Sequence, residues 1–280
     1  VPGQHPRRHD PASDLFLFLS RKRTENERGK VYLGRENGIL ETALLRRWHD
    51  MGEYETVAEG IYQVGGMDLS HPQDAAVYVV SCGKELVMID CGGGKDPDII
   101  VENIQEAGLD PLTLTTLVLT HCHVDHIGSA DFFRKKFKCT VVAHDLDADA
   151  IESGDRTLTA ARWYNTTLPR TTVDRRLLEE DEIITCGEDR IRCIHTPGHT
   201  PGSLSPYIDR GDVRILFGQD IHGPFSREFK SDIGQWRASM QKLLDLKADI
   251  LCEGHFGIYK PKERVEKYIR GYLDQYASDY

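Results

Sequence analysis

The segment Thr120-His121-Cys122-His123-Val124-Asp125-His126 puts three imidazoles and a carboxylate within six positions, immediately after the run Thr116–Leu119. That run is short, apolar and bounded by threonine, the pattern of a buried strand. Imidazole and carboxylate are natural donors to zinc-class ions, and packing them together costs stability unless a cation organises them. His121 and His123, two apart, can reach one ion; Asp125 and His126, one turn on, can reach a second beside it. The competing reading is a helix N-terminus carrying solvated histidines, which the density of the cluster disfavours. Cys122 is expected to point away from its neighbours and pack.

The 280 residues can bury one sizeable core, and a composition of 39% hydrophobic and 29% charged residues fits a folded rather than a disordered chain. No apolar run approaches the ~20 residues needed to cross a bilayer. The short run Leu15–Leu19 lacks a clear cleavage site after it. The seven cysteines are scattered, with no C-x-x-C pair. They are expected to be reduced, mostly buried thiols of a cytoplasmic protein with no membrane partner. Residues 1–50 carry ten Lys/Arg against seven Asp/Glu, whereas the remainder carries 25 against 38. An acidic body lowers the expectation of a nucleic-acid partner and leaves a small-molecule substrate as the expected one.

The first methionine is Met51, and strand-like alternation begins just beyond it, over Glu55–Val64. Residues 1–50 are therefore expected to be a dispensable extension, and residues 51–280 the folded domain. The alternative is a helical dimerisation arm over Gly38–Trp48, so an oligomer stays open. Further strands are expected over Ala75–Ser81 and Glu85–Asp90, joined by a tight Gly83-Lys84 turn, and over Thr140–Ala143, Arg190–His195, Ser203–Ile208, Val213–Phe217 and Ala248–Cys252. Helices are expected over Pro97–Ala107, with Asp96 as its cap, and over Ser129–Phe137, Gln235–Leu246 and Lys262–Tyr276. Mixed strands with helices between them suggest two sheets packed face to face and covered by helices, an α/β layered fold.

From about Glu55 to Tyr276 the chain resembles the metallo-β-lactamase superfamily. The resemblance is carried by Asp90 in Val87-Met-Ile-Asp-Cys-Gly92, by His121–His126, by His195-Thr-Pro-Gly-His199-Thr-Pro-Gly202, by Asp220 in Phe217-Gly-Gln-Asp220, and by His255 in Cys252-Glu-Gly-His255. It implies the αβ/βα sandwich, two mixed sheets flanked by helices, with metals at one edge. It also implies that His121, His123 and His199 hold one ion and that Asp125, His126 and His255 hold the other. Asp220 would join the two, and Asp90 would orient a ligand histidine. The implied cofactors are two zinc ions, with manganese or iron as substitutes. Each ion would keep an open position, and a water shared between them would act as the hydroxide nucleophile.

Asp125 and His222 are the candidate catalytic residues, His222 because it follows Asp220 by two positions and can face substrate. His195 is expected to be structural, and His71 and His144 to be solvated. The segment Gly154–Arg176, with adjacent Trp163 and Tyr164, is a candidate substrate wall; Gly223–Arg227 is a candidate opposite rim. Arg162 and Arg170 could meet an acidic substrate or simply be solvated. Within the resembled family, Asp220 departs from the zinc β-lactamases, which carry Cys or Ser there. His123 departs from the di-iron relatives. The 35 residues from Asp220 to His255 leave no room for a long nuclease insertion, and the 25 after His255 leave none for a glyoxalase II tail. A persulfide-dioxygenase Gly-Cys-Gly-Arg is missing after the fourth motif. A compact hydrolase of a carboxylic ester, thioester or lactone is the leading expectation. The alternatives are a phosphodiesterase or RNA endonuclease and, in another class, a metal-binding protein without turnover.

Overall fold

The structure, a computed structural model, describes residues 54–277. The expected N-terminal extension lies outside the described residues. Period-two alternation builds the fold. In strand β3 (Val77–Cys82), Val77 and Val79 face one core while Tyr78 and Val80 face another. In β4 (Glu85–Ile89), Leu86 and Met88 take the first side and Val87 and Ile89 the second. A strand apolar on both faces must be covered on both, so each sheet lies between its partner sheet and a layer of helices.

The first sheet has the order β1-β2-β3-β4-β5-β6-β7, with β1 Glu55–Ala58, β2 Ile61–Gly65, β5 Leu114–Val118, β6 Thr140–His144 and β7 Arg175–Leu177. It is antiparallel from β1 to β4 and parallel from β4 to β7. The second sheet has the order β13-β12-β11-β10-β9-β8, with β8 Asp181–Cys186, β9 Asp189–His195, β10 Leu204–Arg210, β11 Val213–Gln219, β12 Ile250–Glu253 and β13 Ile258–Tyr259. Its β11 and β12 run parallel. The central core joins the sheets through residues such as Ile89, Val118, Ile191, Ile208 and Phe217. Helices α1 (Pro97–Glu106), α3 (Ala130–Phe137) and α4 (Asp145–Ser153) cover the first sheet; α5 (Ile233–Leu246) and α6 (Lys262–Gln275) cover the second. The one-turn helix α2 (Val124–Ile127) carries the opening motif. Its neighbour Gly128 packs so closely on Gly93 that a Cβ would lie 2.2 Å from a backbone carbon. None of the helices among the described residues is long and apolar enough to cross a membrane.

Four expectations are corrected. Glu55–Val64 is a hairpin, because Gly60 at φ +70° turns the chain back between β1 and β2. Helix α4 lies where no helix was expected; three aspartates in five residues hide a narrow inner face of Ala148 and Ile151. His144 is buried, not solvated: its Nδ1 accepts the Leu146 N–H at 3.2 Å to cap α4, and its ring stacks on His195 at 3.9 Å. Burial first, then the adjacent His195, pushes the His144 imidazole down to about 4. Finally, Cys82 and Cys186 form a disulfide. They are 104 residues apart, so no spacing in the sequence could announce the pair; the sandwich brings the end of β3 against the end of β8. Cys91, Cys122, Cys139, Cys193 and Cys252 are free and buried, as expected.

A cross-link closing so long a loop restricts the unfolded chain strongly. Replacing both Cys82 and Cys186 by serine, or adding reductant, is expected to lower unfolding stability by roughly 2–4 kcal/mol. Urea midpoints measured with and without reductant check this; coincident curves would refute the bond's contribution. A second expectation concerns acid. The unfolded imidazole takes a proton near pH 6.5, whereas buried His144 resists until about pH 4. The stability from its neutral form is therefore complete above pH 6.5 and is lost as the pH falls toward 4. Between pH 7 and 5 the loss from this group is about 1 kcal/mol after allowance for solvent screening. In urea titrations at the two pH values, His144→Gln should fall less than the unaltered chain.

Candidate metal centre

The chain ends of the inner strands converge at one edge of the sandwich. β5 leads into His121–His126, the β9–β10 turn carries His199, β11 ends one residue before Asp220, and β12 ends two residues before His255. Two of the resulting groupings match those implied by the sequence. His121, His123, His199 and Asp220 bring one donor atom each within 4.8 Å of one another, and so do Asp125, His126 and His255. Asp220 faces both. Its Oδ2 lies 3.4 Å from His199 Nε2 and 3.9 Å from His121 Nε2. Its Oδ1 lies 3.1 Å from His126 Nε2 and 3.3 Å from His255 Nε2.

Within the protein these donors are poorly satisfied. His121 Nε2, His123 Nε2, His126 Nε2, His199 Nδ1 and Asp220 Oδ1 are buried without a hydrogen-bond partner. The 3.1 Å approach of His126 to Asp220 is misdirected for a hydrogen bond. Orphaned buried polar atoms are expensive; His121 Nε2, His126 Nε2 and Asp220 Oδ1 lie around the one carboxylate, where His123 Nδ1 and His199 Nε2 also meet at 2.9 Å, and that donor set fits divalent cations. The backbone leaves the room: a Cβ on Gly254 would sit 2.4 Å from Asp220 Oδ1.

The electrostatics divide the histidines. Burial, then the neighbouring imidazoles, holds His121 and His123 well below the usual range, so both are neutral donors. Burial acts against charge on His126 and His255 too, but the carboxylates outweigh it. Asp220 is the largest of these for both, and it helps raise His255 to about 10. Asp220 itself stays well below the ordinary carboxylate range: burial opposes its charge, and His255 and His126 overcome it.

Buried carboxylates outside the clusters hold the donors in place. Asp90, at φ 60°, accepts the Thr120 N–H at 2.8 Å on Oδ1; its Oδ2 takes the Thr120 hydroxyl at 2.8 Å and His126 Nδ1 at 2.7 Å. It thus stands where the sequence placed a carboxylate orienting a histidine. Asp147, on α4, accepts the Cys122 N–H at 3.0 Å, the Thr200 hydroxyl at 2.7 Å and the Gly202 N–H at 2.8 Å. One carboxylate therefore ties the His121–His126 loop to the His199 loop. Sequence reasoning missed it, since nothing marks Asp147 among its acidic neighbours. Glu253, also missed, bonds His222 Nδ1 at 2.8 Å and accepts the His255 and Phe256 N–H groups. His195 lies outside both clusters and bonds Pro201 O through Nε2 at 2.8 Å. Cys122 is buried and directs its Sγ to Leu158 O at 3.4 Å.

Tyr164 is more than a wall. Its hydroxyl donates to Asp125 Oδ2 at 2.8 Å, so it grips a donor of the second cluster. Trp163 donates to Glu228 at 3.2 Å and packs edge-on to Phe229, whose ring lies 4.5 Å from His123. The expected wall thus meets, beside His123, residues that lie just beyond the expected rim Gly223–Arg227. Arg162 and Arg170 are exposed.

Comparison with known proteins agrees with the geometry. The profile of the metallo-β-lactamase superfamily matches residues 72–255. The chain is 32% identical over 148 residues to a probable metallo-hydrolase, YqgX, of Bacillus subtilis, a match covering 51% of this chain and 65% of that protein. It is 29% identical over 196 residues to Glyoxylase B2 of Dictyostelium discoideum, covering 66% of this chain and 62% of that one. The chain thus spans just under two thirds of either relative. Among solved structures, BJP-1, a subclass B3 metallo-β-lactamase of Bradyrhizobium japonicum, superposes with a TM-score of 0.68 at 21% identity, covering 84% of this chain and 96% of that one. At that identity the likeness concerns the fold. With the donor clusters, the sandwich and a profile match across most of the described residues in agreement, the chain belongs to the metallo-β-lactamase superfamily.

Proposed function

We propose that the protein is a binuclear, zinc-dependent hydrolase of a small carboxylic ester, thioester or lactone. The observation that carries this reading is Asp220, whose two carboxylate oxygens face opposite donor clusters. Under it, His121, His123 and His199 hold one ion, Asp125, His126 and His255 the other, and Asp220 spans both. Bound there, the ions would supply a water acidified toward neutral pH and polarise the attacked carbonyl.

The protein's own groups supply position and shape. Tyr164, bonded to Asp125, fixes the carboxylate in one rotamer and occupies one of its oxygens. That favours Asp125 as a donor over a free general base. Asp147 and Asp90 set the histidine loops before any ligand arrives, so little reorganisation is left to binding. Trp163, half-buried and packed on Phe229 beside His123, offers an aromatic surface near the first cluster, suited to an apolar acyl or alkyl portion. The similarity to Glyoxylase B2 favours the thioester within this class.

Elemental analysis of zinc-loaded protein should give close to two ions per chain; a single iron would point to oxygen chemistry. Lactone, thioester and bis-p-nitrophenyl phosphate substrates, assayed side by side with a chelated control, test the substrate class. Turnover of the carbonyl substrates is expected, and hydrolysis of the phosphodiester alone would replace this reading with a nuclease. Asp220→Ala should reduce bound zinc and lower kcat/KM by roughly 1,000-fold.

A further inference from the structure

A third donor grouping shares two members with the proposed centre. Asp220, His222 and His255 also bring one donor atom each within 4.8 Å of one another. His222 is buried, and its ring centroid lies 5.2 Å from that of His255. Its backbone is pinned as well: the carbonyl of His222 accepts the Tyr276 hydroxyl at 2.9 Å, and that of Ile221 accepts the Trp236 indole N–H at 3.1 Å.

Glu253 gives the placement its meaning. The side chain is fully buried. One oxygen holds His222 Nδ1 at 2.8 Å; the other accepts the N–H groups of His255 and Phe256 at 2.7 and 2.8 Å. A carboxylate that takes the Nδ1 proton fixes the tautomer and leaves the Nε2 lone pair free. Asp90 does the same for His126, whose Nδ1 it holds at 2.7 Å while Nε2 faces Asp220. The carboxylate–imidazole unit therefore occurs twice beside Asp220, once from each sheet.

We propose that His222, oriented by Glu253, is an additional protein ligand to the cation shared by Asp220 and His255. This rests on the metal-centre reading above. It makes the two positions unequal. The first is built from His121, His123, His199 and Asp220. The second gains an imidazole beyond Asp125, His126, His255 and Asp220, so it holds its ion more tightly. The first, with one donor fewer, holds its ion less tightly.

The direct test uses the unaltered chain loaded with magnetically active cadmium and carrying nitrogen-labelled histidine. A scalar coupling between cadmium and the His222 ring nitrogen is expected, and its absence with the other histidine couplings present overturns the proposal. The second test is zinc affinity. His222→Ala and the bulkier His222→Gln should each weaken the tighter ion by about 10- to 100-fold while leaving the weaker one nearly unchanged. Glu253→Gln, which keeps an acceptor beside Nδ1, should weaken it less. Far-UV circular dichroism in excess zinc verifies the fold of each variant. Unchanged zinc affinities in a folded His222→Gln chain would also overturn the assignment. The binuclear reading fails separately, if the unaltered chain saturates with one ion; a cadmium coupling to His222 would survive that result.

Discussion

A carboxylate buried between imidazoles from two sheets is the constraint on which the rest of this structure depends. Asp220 leaves water at the end of β11, with His121 and His199 toward one oxygen and His126 and His255 toward the other. A negative charge in that position is tolerable only among positive partners, and protons on His126 and His255 are what the protein alone provides. Divalent cations would serve the same electrostatic need more completely. The donors sit at strand ends and turns, and the core beneath them is well packed, so the cleft has little freedom to relax around a missing charge.

Holding so many polar groups in a dry cleft takes a scaffold of further buried carboxylates. Asp90 fixes the strand exit and one histidine; Asp147 joins two loops that belong to different sheets; Glu253 fixes His222 and the backbone leading to His255. Each accepts backbone N–H groups, which pay its desolvation and make the loop conformation depend on it. Gly202 illustrates the tightness, since a Cβ there would lie 2.6 Å from the Asp147 carboxyl carbon. These residues act on geometry, and removing one would loosen donors it never touches.

Much of this was legible before the structure. Alternating apolar strands such as β3 and β4 revealed the double-sided sheets, and the dense run from His121 to His126 revealed the centre. His199, Asp220 and His255 were reachable through family resemblance, because each is a single residue in a short motif. What escaped depends on tertiary closure. Helix α4 hides its apolar face among aspartates, so neither the helix nor the role of Asp147 showed in the hydrophobic pattern. His144 looked like a loop residue because nothing local says that His195 will lie on it. The Cys82–Cys186 pair joins segments that meet only when the sheets dock. Tyr164 was noticed as an aromatic beside the cleft, but its grip on Asp125 follows from the path of the loop.

The disulfide stands at the end of the sandwich away from the donors. Cys82 pairs with Glu85 at the start of β4, whereas Asp90 follows the other end of that strand; Cys186 pairs with Asp189 at the start of β9, whose far end is His195. The two leaves are thus clasped twice, covalently at one end and through shared donors at the other. A chain that gives up its ions opens one clasp only. The covalent one keeps the leaves in register, so the empty cleft remains aligned to close again when metal returns.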